Sequence, residues 1–253
     1  MRMAIEDLRL FYGEPSGRLV RRLLAERLEA AWGEANGCDV LGVGYATPWL
    51  GAFVGARRLI AAMPSGQGVE VWPRGARNRS VLVDDRALPF AAGSFDRVLV
   101  VHALEEADDV RALMAEAIRV LTPAGRIILV AAARGGLWAR AESTPFGHGR
   151  PFTRRQLERL VREVGLEPAA WSQTLYVPPW PMIYGMADGF EQIGRRAVPG
   201  AAGLILLEAT RHAYARTQMV GQVERVPLLD AGLQPSPAGR NSRRALVRPG
   251  EQP

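Results

Sequence analysis

The sequence predicts an α/β fold in which helices flank a mostly parallel sheet. Short apolar runs recur at 39–44, 58–63, 80–83, 96–101 and 126–131, and near-continuous apolar runs are typical of strands buried on both faces. Segments with helical spacing separate several of these runs. Strands that alternate with helices form parallel sheets through right-handed crossovers, and such sheets bind ligands at the carboxyl ends of their strands. Functional residues are therefore expected there.

The chain is long enough for one sizeable core. It has 253 residues, of which 48% are hydrophobic and 23% charged. We expect an N-terminal helical segment at 1–37, one domain at 38–225 and a disordered tail at 226–253, where proline, glycine and arginine are frequent. The single cysteine, Cys38, excludes an intramolecular disulfide, and with only three histidines we expect no bound metal. Uninterrupted apolar runs stay well short of the ~18 residues of a membrane span, so we expect a cytoplasmic protein without a membrane partner.

The charge of the chain is basic, with a net value of +6. Every basic residue is an arginine. Clustered cations favour nucleic acid or another anionic partner because they release counterions from phosphates. A solvated basic surface in an arginine-rich composition explains the same charge more simply. Nucleic acid is therefore a candidate partner, but it is not the favoured one.

The first predicted helix spans 16–32 and carries a basic face. Its apolar residues recur at helical spacing, while arginines occupy much of the remaining surface, namely Arg18, Arg21, Arg22 and Arg27. The strand at 39–44 follows. It leads to Pro48, which suits the first turn of the next helix.

The second half of the chain repeats this alternation. Apolar spacing predicts a helix at 110–121 that Asp108 or Asp109 caps. Pro123 to Gly125 is expected to stop that helix before the strand at 126–131. Thr153 and Gln156 form a capping-box pattern before another helix, which Gly165 ends. Strand-like segments at 169–177 and 203–209 could pair, with a proline-rich insertion and a helix near 188–196 between them.

Several short motifs occur in a set order, each near a predicted strand end. They are Val40-Leu-Gly-Val-Gly44, Leu88-Pro-Phe90, Ser94-Phe-Asp96, His102-Ala-Leu-Glu-Glu106, Arg119 to Gly125 and Phe152-Thr-x-x-Gln-Leu157. In this order they resemble the class I methyltransferases of the type 11 family, over residues 38–170. The resemblance implies a Rossmann-like fold with a mostly parallel seven-stranded sheet, S-adenosylmethionine as the cofactor, and a methyl acceptor whose identity the sequence does not give.

The glycine-rich motif after the first strand departs from that family. The resemblance assigns Gly42, Gly44 and Ala46 to the cofactor, but only one of the family's three glycines survives, because Ala46 and Pro48 replace the others. Gly42 also stands in place of an acidic residue, as does Met63-Pro64 at the end of the second strand. Alanine disfavours φ > 0, and proline fixes φ and removes a donor.

Other positions match the family's cofactor site better. Asp84, or its neighbour Asp85, lies where the family's aspartate contacts the adenine amino group, and Leu88 follows four residues after Asp84. His102 lies where the family lines the cleft, and a near-neutral pKa would suit a proton acceptor. His148, in the loop after the fifth strand, is a second weak catalytic candidate. Structural roles explain both histidines as well.

Three functions remain open at this stage. The first is a methyltransferase that uses S-adenosylmethionine and acts on a small-molecule acceptor. The second is a non-catalytic methyltransferase-like module that has lost cofactor binding together with its acidic and glycine positions. The third, less favoured, is a nucleic-acid methyltransferase that uses its arginine-rich first helix.

Overall fold

The computed structural model describes residues 2–211 and 234–235. Seven strands form a mostly parallel sheet, and a two-residue strand lies at its edge, in the order β3-β2-β1-β4-β5-β7-β6-β8. The strands are β1 (Asp39–Gly44), β2 (Arg58–Pro64), β3 (Ser80–Val83), β4 (Phe95–Val101), β5 (Leu121–Ala132), β6 (Leu166–Thr174), β7 (Leu204–Arg211) and β8 (Gln234–Pro235). The predicted Rossmann-like, seven-stranded fold is confirmed.

Six helices flank the sheet within the described residues. They are α1 (Ile5–Gly13), α2 (Pro15–Trp32), α3 (Thr47–Leu50), α4 (Val110–Val120), α5 (Arg154–Glu163) and α6 (Ala187–Ala197). One core packs α1, α2 and α3 against one face of the sheet, and a second core packs α4 and α5 against the other. The alternation within β1 shows the division, because Val40 faces the first core and Leu41 the second.

The direction of the strands decides where a site can form. β1 pairs in parallel with β2 and β4, and β5 in parallel with β4. β7 runs antiparallel to both β5 and β6, which makes β6 parallel to β5. The carboxyl ends of β1 to β6 therefore lie at one side of the sheet, which we call the carboxyl edge.

Local signals set several element boundaries as predicted. Asp109 caps α4 by accepting hydrogen bonds from the backbone N–H groups of Arg111 and Ala112. Both hydrogen bonds of the capping box at Thr153 are present before α5. The two strand-like segments near the end pair as β6 and β7.

Two expectations need correction. Pro123 to Gly125 does not form a turn but lies in the first half of β5, where the pairing with β4 is irregular. Arg27 does not lie on a solvated basic face. It is buried, with its guanidinium 3.8 Å from Glu191, because α6 covers that side of α2. The predicted helical segment at 1–37 holds two helices. The bounds of the first, α1, were not predicted, although Ile5, Leu8 and Phe11 mark its buried face.

Two further findings concern the ends and surface of the chain. His212 and most of the predicted tail at 226–253 lie outside the described residues, and Gln234–Pro235 within that tail pairs with β6. Of the described helices, none combines the length and hydropathy that a membrane crossing requires. The same part of the chain holds no cluster of three or more side chains that could ligate a metal.

Candidate functional site

The turn from β1 to α3 is packed against protein atoms. Gly44 has φ +84°, and a Cβ there would overlap the carbonyl oxygen of Val101 in β4. The backbone N–H of Tyr45 donates to that same oxygen over 2.9 Å. A Cβ on Gly42 would lie 2.7 Å from Cβ of Ala46 and 2.9 Å from Cδ1 of Leu50. Both glycines therefore permit close packing inside the protein, and neither opens a cradle for a ligand.

The loop after β3 holds the two aspartates of the predicted adenine site. Asp84 is exposed, and it accepts hydrogen bonds from Nε of Arg86 over 3.1 Å and from the backbone N–H of Arg86 over 2.9 Å. The Arg86 guanidinium lowers the pKa of Asp84 below its ordinary value. Asp85 forms an ion pair with Arg2. Leu88 is buried, and its N–H donates to the Glu116 carboxylate over 2.7 Å.

The first residues of the chain cross the carboxyl edge over three neighbouring strands. The Arg2 guanidinium pairs with Asp85 after β3 and lies 3.5 Å from the carbonyl oxygen of Ala103 after β4. The backbone N–H of Met3 donates to the Glu106 carboxylate over 2.7 Å. The N–H of Ile5 donates to the carbonyl of Gln67, after β2, over 2.8 Å. We call residues 2–13 the N-terminal cover.

An aromatic cluster joins this cover to the sheet. The hydroxyl of Tyr12 shares a hydrogen bond of 2.5 Å with Nε2 of His102. The Tyr12 ring stacks on Tyr45 at 5.6 Å and meets Trp49 edge-on at 5.3 Å. Phe146 lies 5.0 Å from the His102 ring on the other side. All five side chains are buried, so the cluster closes the carboxyl ends of β1 and β4.

Burial controls the protonation of this cluster. It lowers the pKa of His102 to about 3, and it raises the pKa of Tyr12 well above its ordinary value and that of Tyr45 to about 12. All three groups are therefore neutral at pH 7. His102 also has a left-handed backbone with φ +51°, and its carbonyl accepts from Nε2 of Gln67 over 3.2 Å. In this arrangement His102 is a structural group rather than an accessible proton acceptor.

Glu105 is a buried acid that the sequence did not single out. Burial raises its pKa to about 7. One carboxylate oxygen accepts from the N–H of Ala132 over 2.8 Å, and the other has no hydrogen-bond partner among the described residues. In the sequence it stands beside a second glutamate in Ala103-Leu-Glu-Glu-Ala107, and nothing there distinguishes the buried acid from its neighbour. Strongly perturbed buried acids are enriched at functional sites.

The second histidine candidate lies in the neighbouring loop. His148 is exposed, and its Nε2 is 2.8 Å from the carbonyl oxygen of Glu142 in the same loop. Phe146 and the backbone N–H of Arg150, which donates to the carbonyl of Glu105 over 2.8 Å, connect this loop to the site. The structure thus places His102 inside the aromatic cluster and His148 on the surface of the adjoining loop.

A cavity of about 470 Å³ remains open beside Tyr45. Its charged lining consists of Glu70, whose carboxylate accepts from the Thr47 hydroxyl over 3.0 Å, and three arginines, Arg9, Arg21 and Arg74. None of these three has an ion-pair partner within 2–211 or 234–235. The cavity is therefore electropositive and borders the cover through Arg9 and Tyr12.

S-adenosylmethionine does not fit this arrangement of the chain. The glycines at 42 and 44 contact protein atoms, Asp85 is bound to Arg2, and His102 is bound to Tyr12. Neither β1 nor β2 ends in an acidic residue, and the acid that lies beside the end of β2 is Glu70, which accepts from the Thr47 hydroxyl at the cavity. A ligand at the usual place for an open α/β sheet would have to displace the N-terminal cover.

Comparisons with known proteins agree on the family. The methyltransferase domain family model matches residues 37–129. The demethylmenaquinone methyltransferase of Tropheryma whipplei is 29% identical over 181 residues, which cover 66% of this chain and 73% of that protein.

Solved structures show the same fold at low sequence identity. A SAM-dependent methyltransferase of Thermotoga maritima has a TM-score of 0.54 at 19% identity, over 82% of this chain and 96% of its own. One of Mesorhizobium loti has a TM-score of 0.54 at 15% identity, over 73% and 95%. One of Archaeoglobus fulgidus has a TM-score of 0.53 at 16% identity, over 76% and 94%. The predicted resemblance to class I S-adenosylmethionine-dependent methyltransferases is confirmed.

Proposed function

We propose that this chain is a methyltransferase acting on a small-molecule acceptor, and that S-adenosylmethionine binds at the carboxyl edge when the N-terminal cover withdraws. The observation that carries the proposal is the position of the cover. It lies over the loops after β2, β3 and β4, where open α/β sheets bind ligands. The relative from Tropheryma whipplei, a demethylmenaquinone methyltransferase, supports an acceptor of small size.

Methyl transfer requires the protein mainly to position the acceptor and the cofactor. The cofactor, when bound, supplies an activated methyl group, so the protein needs no nucleophile of its own. The residues of this chain would align the acceptor and exclude water from it. The apolar walls around Phe146 and Trp49 suit the exclusion of water. Asp84 or Asp85 would hold the adenine end, as the resemblance implies.

Calorimetric titration with S-adenosylhomocysteine, the demethylated product, tests the proposal. We expect micromolar binding to the full chain. Asp84→Ala should weaken binding if Asp84 holds the cofactor. Asp85→Ala also removes the ion pair with Arg2, so it is compared with Arg2→Ala, and weaker binding than in that variant assigns the contact to Asp85. Glu34→Ala is the matched control, since Glu34 is exposed and precedes β1 at the opposite edge. The proposal would be refuted if millimolar ligand produced no heat of binding and no thermal shift.

A non-catalytic module is the second candidate, and one specific observation favours it. The Tyr12, Tyr45 and His102 side chains fill the carboxyl end of β1, where the acidic and glycine positions are also missing. If this filling is permanent, the chain keeps the methyltransferase fold without its cofactor. The same titration separates the two functions. Residence in the cytoplasm stays a prediction under either.

A further inference from the structure

The insertion between β6 and β7 forms a groove with almost wholly apolar walls. Its cavity of about 430 Å³ is lined by Tyr176, Met186, Gly189, Phe190, Ile193, Gly194, Val198 and Ala201. None of these side chains carries a charge at pH 7. The insertion follows the carboxyl end of β6, so the groove belongs to the same side of the sheet as the carboxyl edge but is separate from the aromatic cluster.

The surface around this groove exposes large apolar side chains. Met182 is 90% exposed, Ile193 66%, Met186 58%, Trp180 56% and Val198 54%. The outward face of a helix in water is normally polar. Apolar side chains that gather on a surface mark binding sites more often than they occur by chance. These five exposed side chains therefore indicate a surface that binds an apolar partner.

The groove is held open by buried polar contacts on the inner face of α6. The carboxylate of Glu191 accepts from the backbone N–H of Tyr176 over 2.6 Å and from the Thr174 hydroxyl over 2.9 Å. Gly194 lets the helix rest directly on the Tyr176 ring, which a Cβ at 194 would overlap. These contacts fix α6 against β6. The space beside Gly189, where a Cβ would meet nothing within 4 Å, is therefore part of a built groove.

Charge beside the groove indicates the nature of the ligand. Arg195 and Arg196 follow Gly194 at the carboxyl end of α6, and both are exposed. Arg195 donates from Nε to the backbone carbonyl of Glu191 over 3.1 Å, and Arg196 has no ion-pair partner in the described part of the chain. Arg196 lies one helical turn after the lining residue Ile193, and Arg195 directly follows Gly194, so both side chains start beside the groove. An apolar groove flanked by two guanidinium groups complements a molecule with a hydrocarbon chain and an anionic head.

We propose that this groove binds the hydrocarbon chain of a free long-chain carboxylate, with the carboxylate at Arg195 and Arg196. The site goes beyond the proposed methyltransferase function and does not depend on it. Lining residues of this kind cannot replace the hydration of a polar ligand, whereas they gain free energy from each methylene that they remove from water. The affinity of the groove for a carboxylate should therefore increase with the length of the hydrocarbon chain.

Blocking the groove from within tests the proposal. Gly189→Leu places a side chain in the open space, and leucine favours the helix more than glycine does. Gln192→Leu is the matched control, because it adds the same side chain to an exposed position of α6 that does not line the groove. Calorimetry with dodecanoate should show binding to the unmodified chain and to Gln192→Leu, and binding weaker by at least about tenfold to Gly189→Leu. Ile193→Asn is a second variant with the same expected loss, should Gly189→Leu fail to fold.

Two further comparisons separate the contribution of the ligand's hydrocarbon chain from that of its carboxylate. Decanoate, shorter by two methylenes, should bind about tenfold more weakly than dodecanoate. The double change Arg195→Ala and Arg196→Ala should weaken dodecanoate but leave dodecanol unchanged. Equal weakening of both ligands would overturn the assigned role of the arginines.

Other occupants of the groove give different results. Absence of dodecanoate binding overturns the proposal. If phosphatidylglycerol vesicles sediment the chain and free dodecanoate does not bind, the groove docks on membranes instead. If Gly189→Leu abolishes a dimer seen by sedimentation velocity and dodecanoate does not bind, the groove is an interface between two copies. Either outcome overturns the proposal in favour of the named alternative.

Discussion

Release of the N-terminal cover should increase the affinity for the cofactor, and Arg2→Ala is the smallest change that tests this. The side chains of Arg2 and Asp85 are 7% and 15% exposed, so their ion pair is largely removed from water. Hydrogen bonds to charged groups contribute about 1.5–3 kcal/mol each. Loss of this pair should destabilise the covered state by about that amount, because both groups are solvated once the cover withdraws. The opening equilibrium then rises about tenfold to a hundredfold.

The apparent dissociation constant follows the fraction of open molecules. When that fraction is small, binding tightens by the same factor as the opening equilibrium. We therefore expect Arg2→Ala to bind S-adenosylhomocysteine about tenfold to a hundredfold more tightly than the unmodified chain in calorimetric titration. Arg155→Ala, an exposed arginine on α5, should leave the affinity unchanged. Unchanged affinity for Arg2→Ala would refute the covering role, and weaker affinity would mean that Arg2 itself contacts the cofactor.

Three more predictions concern stability and are measured by urea unfolding. Glu105→Gln should flatten the pH dependence of the free energy of unfolding. Burial raises the pKa of Glu105 in the folded state to about 7, so the stabilisation present below its ordinary pKa is lost as the pH rises through about 7. The unmodified chain should lose about 3 kcal/mol between about pH 5 and about pH 8, and the variant should not. Gly44→Ala should cost more than about 2 kcal/mol, because it combines φ +84° with overlap on the Val101 carbonyl; a smaller cost would mean that the turn rearranges. Gly42→Asp, which restores the acid of the family motif, should destabilise the chain by about 3 kcal/mol or more without improving cofactor affinity, since the new side chain would be buried against Ala46 and Leu50; a stable variant with tighter cofactor binding would contradict this packing argument.

The sequence was sufficient for the architecture because the signals were local. Apolar runs predicted β1 to β5, and the Thr153 capping box placed the start of α5. The Pro123 to Gly125 segment shows the limit of such signals. It belongs to β5, but only the residues on either side of it, Leu121 and Arg126, pair with β4, and this irregularity in the register was not predicted.

The candidate site was less predictable because long-range contacts build it. Tyr12 and His102 are far apart in the sequence, and nothing in either residue type predicts the hydrogen bond between them. The family motif directed attention to Asp84, whereas the buried ion pair is formed by its neighbour Asp85 with the second residue of the chain. The sequence does not distinguish Glu105 from the adjacent Glu106, because the burial of Glu105 depends on how the loops from 102 and 148 pack together.

The altered glycine motif and the N-terminal cover meet at Tyr45, on which Tyr12 stacks. An acid at position 42 would need space that Ala46 and Leu50 occupy, and a shorter side chain than tyrosine at position 45 would remove the surface on which Tyr12 stacks. Within the altered motif, Tyr45 is the residue that receives the cover. Because the cover is held at its start by polar contacts through Arg2 and Met3 and near its end by the Tyr12 hydrogen bond, cofactor and cover compete for the same edge. Under the proposed function, cofactor binding must displace the cover, so affinity would depend on the stability of the covered state as much as on the contacts that the cofactor makes.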